Sequence, residues 1–136
     1  MKQTTGFYPR VHVDTAEVPA VGQAGGVLLT ETVRASGLDT ALSASLASWR
    51  KPFAVHDPAK VVVDLALSLA VGGDCLADVA VLRTEPGVFG PVASDPTISR
   101  TVDALAADAP AALAAIDVAR AAARAQVWGL AGQPRP

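Results

Sequence analysis

Residues 57–73 read DPAKVVVDLALSLAVGG and contain the clearest helix signal of the chain. Asp57 is suited to the N-cap, Pro58 to the first helical position, and the Gly72-Gly73 pair to the end of a helix. The apolar side chains predicted to form one buried stripe between those ends are Val61, Val62, Leu65 and Leu69. The segment therefore predicts an α-helix packed against other elements, with Leu65 fully buried.

Signals of the same kind recur on both sides and predict six helices. Upstream, Gly37 is suited to end one helix and Asp39 to cap the next. Downstream, Asp74, then Ser94 or Asp95, can cap further helices, and a last helix restarts at residues 108–110. The Gly- and Pro-rich stretch 85–91 is predicted to be a turn or loop. Six helices with short connections indicate a mainly α helical bundle.

The N-terminus follows a different pattern. Residues 7–14 alternate apolar and polar side chains in their second half, which predicts a short β-strand or hairpin. We therefore expect three regions: an N-terminal β segment at 1–22, a helical domain at 23–131, and the start of a linker at 132–136. The helical stripes expected near the end of the chain are Ile98, Val102 and Leu105, and then Leu113, Ile116, Ala123, Val127 and Leu130.

Composition excludes several classes of protein. The longest run without a charged side chain, Val18–Thr30, is shorter than the ~20 apolar residues needed to span a bilayer, so no membrane partner is expected. Cys75 is the single cysteine, which excludes an internal disulfide and a cysteine-based zinc site. The formal net charge of −2 means that any nucleic-acid binding has to depend on local basic clusters.

One such cluster lies in a pair of helices with the order of a helix-turn-helix. Residues 74–83 and 94–100 form the pair, and the second helix of that motif presents its N-terminal residues to base edges. Thr97, Ser99 and Arg100 are the residues predicted to contact DNA there. Two points favour simple helix capping instead: the connection is about ten residues where ~3–4 are usual, and a capped start needs the same residue types.

A second basic cluster is Arg50-Lys51, with Trp49 before it and His56 after it. Both cations are predicted phosphate contacts, together with Lys60 one turn into the next helix. The alternative is that Arg50 and Lys51 are favoured only by the dipole at a helix C-terminus.

The sequence contains no recognisable catalytic set. Asp74 and Asp78, at i and i+4, could place two carboxylates on one helix face, but a metal site needs further ligands. His12 and His56 have no nucleophile partner, and neither Gly25-Gly26 nor Gly72-Gly73 has the flanking pattern of a phosphate-binding loop. We predict no catalytic residue and no metal ligand in this chain.

Five segments in this order carry a resemblance to a known family. They are Phe7-Tyr8-Pro9-Arg10-Val11, Gln23-Ala24-Gly25-Gly26-Val27-Leu28-Leu29, His56-Asp57-Pro58, Gly72-Gly73-Asp74-Cys75-Leu76-Ala77-Asp78 and Ser94-Asp95-Pro96-Thr97-Ile98-Ser99-Arg100. From about residue 6 onward the chain resembles the actinobacterial transposases of the insertion-sequence thirteen-eighty family, which are DDE transposases.

The resemblance implies a bacterial cut-and-paste transposase that binds the inverted repeats at the ends of its element. It also implies an RNase H-like catalytic domain, in which two Asp and one Glu hold two Mg²⁺ ions that activate the attacking oxygen. No residue of this sequence matches that acidic triad, so the catalytic domain is expected after residue 136 and the chain is interpreted as truncated, without a cofactor of its own.

The sequence therefore predicts the DNA-recognising part of a transposase, cytoplasmic and nucleoid-associated, with double-stranded DNA as partner and homodimerisation left open. One alternative is a helical protein-interaction module in which the Ala-rich last helix pairs with another copy. A second alternative is a small metal-dependent enzyme that uses Asp74 and Asp78.

Overall fold

The computed structural model describes residues 6–11 and 24–132, and the fold is mainly α as predicted. The α-helices are α1 (Ala24–Ser36), α2 (Leu38–Ser45), α3 (Pro58–Ala70), α4 (Ala80–Arg83), α5 (Pro86–Phe89), α6 (Asp95–Ala106) and α7 (Ala109–Ala131). Two 3₁₀ turns, Ala47–Trp49 and Leu76–Val79, follow α2 and precede α4. No helix in these two ranges is long and apolar enough to cross a membrane.

The junction of α1 and α2 is set by Gly37. Its φ of 70° is left-handed, and its amide donates to the carbonyl of Arg34, so it ends α1 as the sequence predicts. A Cβ at this position would lie 2.7 Å from Oε1 of Gln126, which reaches across from α7 and donates to the carbonyl of Ala35 at 2.8 Å. Glycine is thus needed both for the turn and for the close approach of α7.

The predicted ends of α3 are confirmed, but the predicted buried face is confirmed only in part, by the buried Val61 and the partly buried Val62. The Asp57 carboxylate accepts from the amide of Ala59 at 2.9 Å, with Pro58 in the first turn. Leu65 is only half-buried and Leu69 is 61% exposed. The inward face instead carries a lysine and an aspartate, Lys60 and Asp64, which are buried together with Val61, Val63, Leu67 and Ser68.

The core consists of a large cluster and a small one. The large cluster includes the fully buried Leu46, Leu82 and Phe89, and Phe89 packs directly against the backbone of Gly26 in α1. The small cluster is Val61, Val79, Ala93 and Ile98, which joins α3 to the start of α6. Burial of these side chains fixes α6 against α3, and this contact positions the candidate site described below.

The segment between α3 and α6 differs from the prediction in three ways. The helix predicted at 74–83, the first of the helix-turn-helix pair, is the 3₁₀ turn Leu76–Val79 followed by the four-residue α4. Asp78, rather than Asp74, supplies the cap, because its Oδ2 accepts from the amides of Asp74 at 2.8 Å and Cys75 at 3.0 Å. Within the stretch predicted to be a loop, Pro86 begins the single helical turn α5. A proline at a first helical position explains why this stretch is not entirely irregular.

The last helices bury smaller side chains than predicted. In α6, Ile98 is buried, but Val102 is 38% exposed. In α7, the buried residues are Ala112, Ala119 and Ala123, whereas Leu113 and Val127 are exposed. Alanines allow α7 to approach α2 closely, and of the larger side chains in the predicted stripe Ile116 packs, partly buried, against the large core cluster.

The predicted N-terminal strand is not seen in the part of it that the structure describes. Residues 6–11 are irregular, and the rest of the predicted β segment lies outside the described residues. The Tyr8 side chain is buried, and the carbonyls of Tyr8 and Pro9 accept from the guanidinium of Arg34 at 2.8 and 3.2 Å. The segment is therefore held against α1 by side-chain contacts.

Candidate nucleic-acid interface

A surface groove brings together the two basic clusters that the sequence placed about fifty residues apart. The groove has a volume of about 290 Å³ and lies between α6 and the segment 50–57, here called the basic loop. Its walls include Lys51 and His56 on the loop side and Thr97 and Arg100 on the α6 side, with Trp49 beneath. Lys51 and Arg100 are both exposed, so two cations face solvent on opposite sides of one groove.

The basic loop is held at both ends. Trp49 is half-buried and packs against the large core cluster just before the loop begins. At the other end, Asp57 caps α3, accepts a hydrogen bond from the hydroxyl of Ser43, and lies 3.7 Å from the guanidinium of Arg50. The exposed Arg50 therefore closes the loop on Asp57, and its charge is partly offset there.

The tip of the basic loop is a four-residue turn with an unusual residue in its third position. The amide of Ala54 donates to the carbonyl of Lys51 at 3.1 Å, with Pro52 and Phe53 between them. Phe53 has a φ of 61°, a conformation that turns of this kind usually assign to glycine or asparagine. Phe53 is fully exposed, so within the described residues its ring gains no packing from this position.

The start of α6 is fixed by Arg83. Its guanidinium donates two hydrogen bonds to the carbonyl of Ala93, at 2.9 and 2.7 Å, and pairs with the Asp95 carboxylate at 2.5 Å. Next along α6, Ser99 and Arg100 are exposed, as predicted for residues that read DNA.

Thr97 is half-buried in the wall of the groove, less open than predicted. Its hydroxyl oxygen accepts from the hydroxyl of Ser94 at 3.1 Å and lies 3.4 Å from the guanidinium of Arg100. Thr97 therefore orients the neighbouring Arg100, and both side chains line the same groove.

Lys60 does not lie where the sequence analysis expected it. It is 8% exposed, and its ammonium donates to the Asp64 carboxylate and to the carbonyl of Pro91, both at 2.7 Å. The ammonium also lies 5.0 Å from the centre of the Tyr8 ring, whose hydroxyl donates to Asp64 at 2.7 Å. Lys60 is part of this buried cluster and is not a surface phosphate contact.

Burial shapes the protonation of this cluster. Desolvation raises the pKa of Asp64, and the charge and hydrogen bond of Lys60 oppose that rise. Desolvation and the neighbouring Asp64 carboxylate also raise the pKa of Tyr8, so its phenol stays protonated and donates. Of this cluster, Lys60 lines a second cavity, of about 680 Å³, which shares Val55 and His56 with the groove.

The acidic groups of the described residues include one compact cluster with the spacing of a metal site. Asp74, Cys75 and Asp78 are the three neighbouring groups whose ligand atoms lie within 4.8 Å of one another. Asp78 Oδ2 already accepts from two backbone amides and from the thiol of Cys75, and these bonds lower the pKa of Asp78 to about 2. A thiol is a poor ligand for Mg²⁺, so this cluster does not fit a magnesium site.

The family relationship follows from the sequence as a whole. The family model described as transposase DDE domain, group 1, matches residues 3–128. The chain belongs to this family. Neither the curated proteins nor the solved structures contained a match to it.

Membership in the DDE transposase family assigns a transposition-related role to the chain and suggests DNA as its partner. The matched family is the DDE domain itself, and the match spans residues 3–128, so it does not support the interpretation of the chain as a recognition part without its catalytic domain. Sequence reasoning predicted Lys51 and Arg100 as DNA contacts, and these two residues line one groove, but it did not single out Phe53 or the loop-closing role of Asp57. The available signal was the Pro52-Phe53 pair, an apolar aromatic in a Pro-initiated turn.

Proposed function

We propose that this transposase-family chain binds double-stranded DNA through the groove between the basic loop and α6. The observation that carries the proposal is the convergence of Lys51 with Thr97 and Arg100 on one groove. The two segments were predicted separately to contact DNA, and the fold places them side by side. The expected DNA target is the terminal inverted repeats of an insertion sequence, in keeping with the resemblance to the thirteen-eighty family.

Each side of the groove contributes a different kind of contact. Arg100, exposed near the start of α6, can donate two hydrogen bonds to guanine in the major groove of DNA. Lys51 can neutralise a phosphate, and the exposed hydroxyl of Ser99 can donate to another. A net charge of −2 limits non-specific affinity, so binding is expected to depend strongly on these few cations.

DNA binding by the full chain tests the proposal. Fluorescence anisotropy would follow titration of a labelled random-sequence duplex of about two helical turns, at several salt concentrations. Lys51→Ala should weaken binding to all sequences and lower the salt slope by about one. Arg100→Ala should weaken binding by ~1–3 kcal/mol on a selected sequence if the side chain reads a base, and relax the preference at one position.

The matched control is Arg124→Ala, which removes an exposed arginine from α7, well along the chain from the groove. It carries the same change of charge as Arg100→Ala and should leave affinity nearly unchanged. Equal losses in Arg124→Ala and Arg100→Ala would mean that only net charge matters, and the groove would no longer be supported as the DNA site.

A second candidate function is self-association through the C-terminal part of α7. Val127, Trp128 and Leu130 are 44%, 70% and 71% exposed there, which is a large apolar exposure for about one helical turn. Sedimentation equilibrium would distinguish this function from a monomeric DNA-binding chain. A dimer that Trp128→Ser dissociates would support it, whereas a monomer at high protein concentration would exclude it.

A further inference from the structure

We infer that Phe53 is a wedge that inserts between neighbouring base pairs of bound DNA, a step that rests on the DNA-binding function proposed above. The turn Lys51–Ala54 would present the ring to the duplex while the cations of the groove hold the phosphates. Apolar side chains used in this way, phenylalanine and proline among them, partly unstack a base step and bend the duplex. Pro52 and Phe53 form the tip of this turn.

The first argument is that Phe53 is unfavourable in the free protein on two counts. Its φ of 61° is strained for a residue with a Cβ, and its ring is 102% exposed to water. Val55, two residues later, is 89% exposed as well. Strained, exposed side chains of this kind mark functional positions when the surrounding structure holds them in place.

The second argument is that the turn is rigidly mounted. Trp49 fixes one end of the basic loop in the core, and Asp57 fixes the other through the α3 cap and Ser43. A wedge has to resist the cost of unstacking a base step, so a ring on a freely moving loop would fold away instead. The anchored loop meets this requirement.

The third argument concerns the choice of partner. Lys51, which begins the turn, and Arg100, across the groove, are exposed cations on the surface that carries the turn. A duplex offers both an anionic backbone for these cations and an apolar stack for the ring. An apolar protein surface would satisfy the ring alone and leave the cations without partners.

Fluorescence of 2-aminopurine tests the wedge, because this base brightens when it is unstacked. The probe is a duplex of about two turns that contains single TA steps, the most easily opened steps, with 2-aminopurine in place of the adenine. The wild-type chain should raise the fluorescence on binding. Phe53→Ala should abolish that rise and weaken binding roughly tenfold, whereas Phe53→Leu should retain much of it because leucine also acts as a wedge.

Leu28→Ala is the matched control, since it removes another exposed apolar side chain, on α1, and should behave like the wild type. If the wild type does not bind the duplex, the proposed function and the wedge both fail. If it binds in a Lys51- and Arg100-dependent way but neither brightens the probe nor responds to Phe53→Ala, only the wedge fails. If Phe53→Ala instead dissociates a protein oligomer and leaves DNA binding unchanged, the ring contacts protein and the wedge is overturned.

Discussion

Replacement of Lys60 by methionine would separate its structural role from a role in DNA binding. Methionine preserves most of the length and the apolar stem of lysine but removes the ammonium. The loss leaves Asp64 buried with Tyr8 as its remaining donor, and it leaves the carbonyl of Pro91 without the 2.7 Å bond from Lys60. Breaking a buried ion pair by removing one partner costs about 3–5 kcal/mol, a large part of the ~5–15 kcal/mol that stabilises a domain of this size.

The assay is urea unfolding of Lys60→Met beside the wild type, with the exposed Lys51→Met as control, which should change stability by less than about 0.5 kcal/mol. The deficit in free energy of unfolding of Lys60→Met relative to the wild type should also depend on pH. Burial raises the pKa of Asp64, and Lys60 opposes the rise, so removing Lys60 raises that pKa further. The folded variant then binds a proton more tightly than the unfolded chain does, and its stability increases as the pH falls toward the ordinary carboxyl value of 3.8.

A deficit of less than about 1 kcal/mol at neutral pH, or one that widens on acidification, would refute the description of this cluster as a buried ion pair. Under conditions where the variant is folded, its affinity for DNA should equal that of the wild type. A drop in DNA affinity similar to that of Lys51→Ala would mean that Lys60 contacts DNA.

Three further predictions concern the backbone and the acidic cap. Phe53→Gly should stabilise the free protein by about 0.5 kcal/mol in thermal unfolding, since the relief of left-handed strain exceeds the added entropy of the unfolded chain; a clear loss would show that the ring packs on something. Gly26→Ala should cost ~1–3 kcal/mol, because its Cβ would lie 2.6 Å from the Phe89 ring, whereas Gly25→Ala, with open space around it, should be neutral or stabilising. The pKa of Asp78 is lowered to about 2, so its carboxylate should contribute stability above pH 3.8 that is lost as the pH falls toward 2. Asp78→Asn should remove this part of the acid unfolding profile. An NMR titration midpoint near 3.8 for Asp78 would contradict the prediction.

Two helix ends were predictable because a single residue specifies each of them, whereas Asp39 and Asp74, which were predicted to cap helices, do not. Asp57 with Pro58 starts α3, and Gly37 ends α1, in both cases through local backbone geometry that the residue type reveals. The inward face of α3 was not predictable in the same way. Lys60 and Asp64 are charged, so hydrophobic periodicity assigned them to solvent, yet their mutual pairing at i and i+4 allows both to be buried.

The candidate site was likewise predictable only where short segments of sequence carry the signal. Residue types in short segments identified Lys51, Ser99 and Arg100, because cations and hydroxyls near helix ends suit DNA contacts. Their convergence depends on the packing of Ile98 against α3, a long-range contact that no local pattern contains. The backbone conformation of Phe53 was equally hidden, since an L-residue with positive φ goes against the preference from which sequence predictions are made.

The contacts that Arg83 makes at the start of α6 determine which residues of this helix can be substituted during evolution without loss of its position. Arg83 holds the start of α6 through the carbonyl of Ala93 and the carboxylate of Asp95, and neither partner reaches the exposed positions of Ser99 and Arg100. Substitutions at those two positions therefore leave the mounting of the helix intact. If Ser99 and Arg100 contact DNA as proposed, changes at these two positions alone can follow sequence drift at the ends of a mobile element, and no compensating substitution at Arg83, Ala93 or Asp95 is needed.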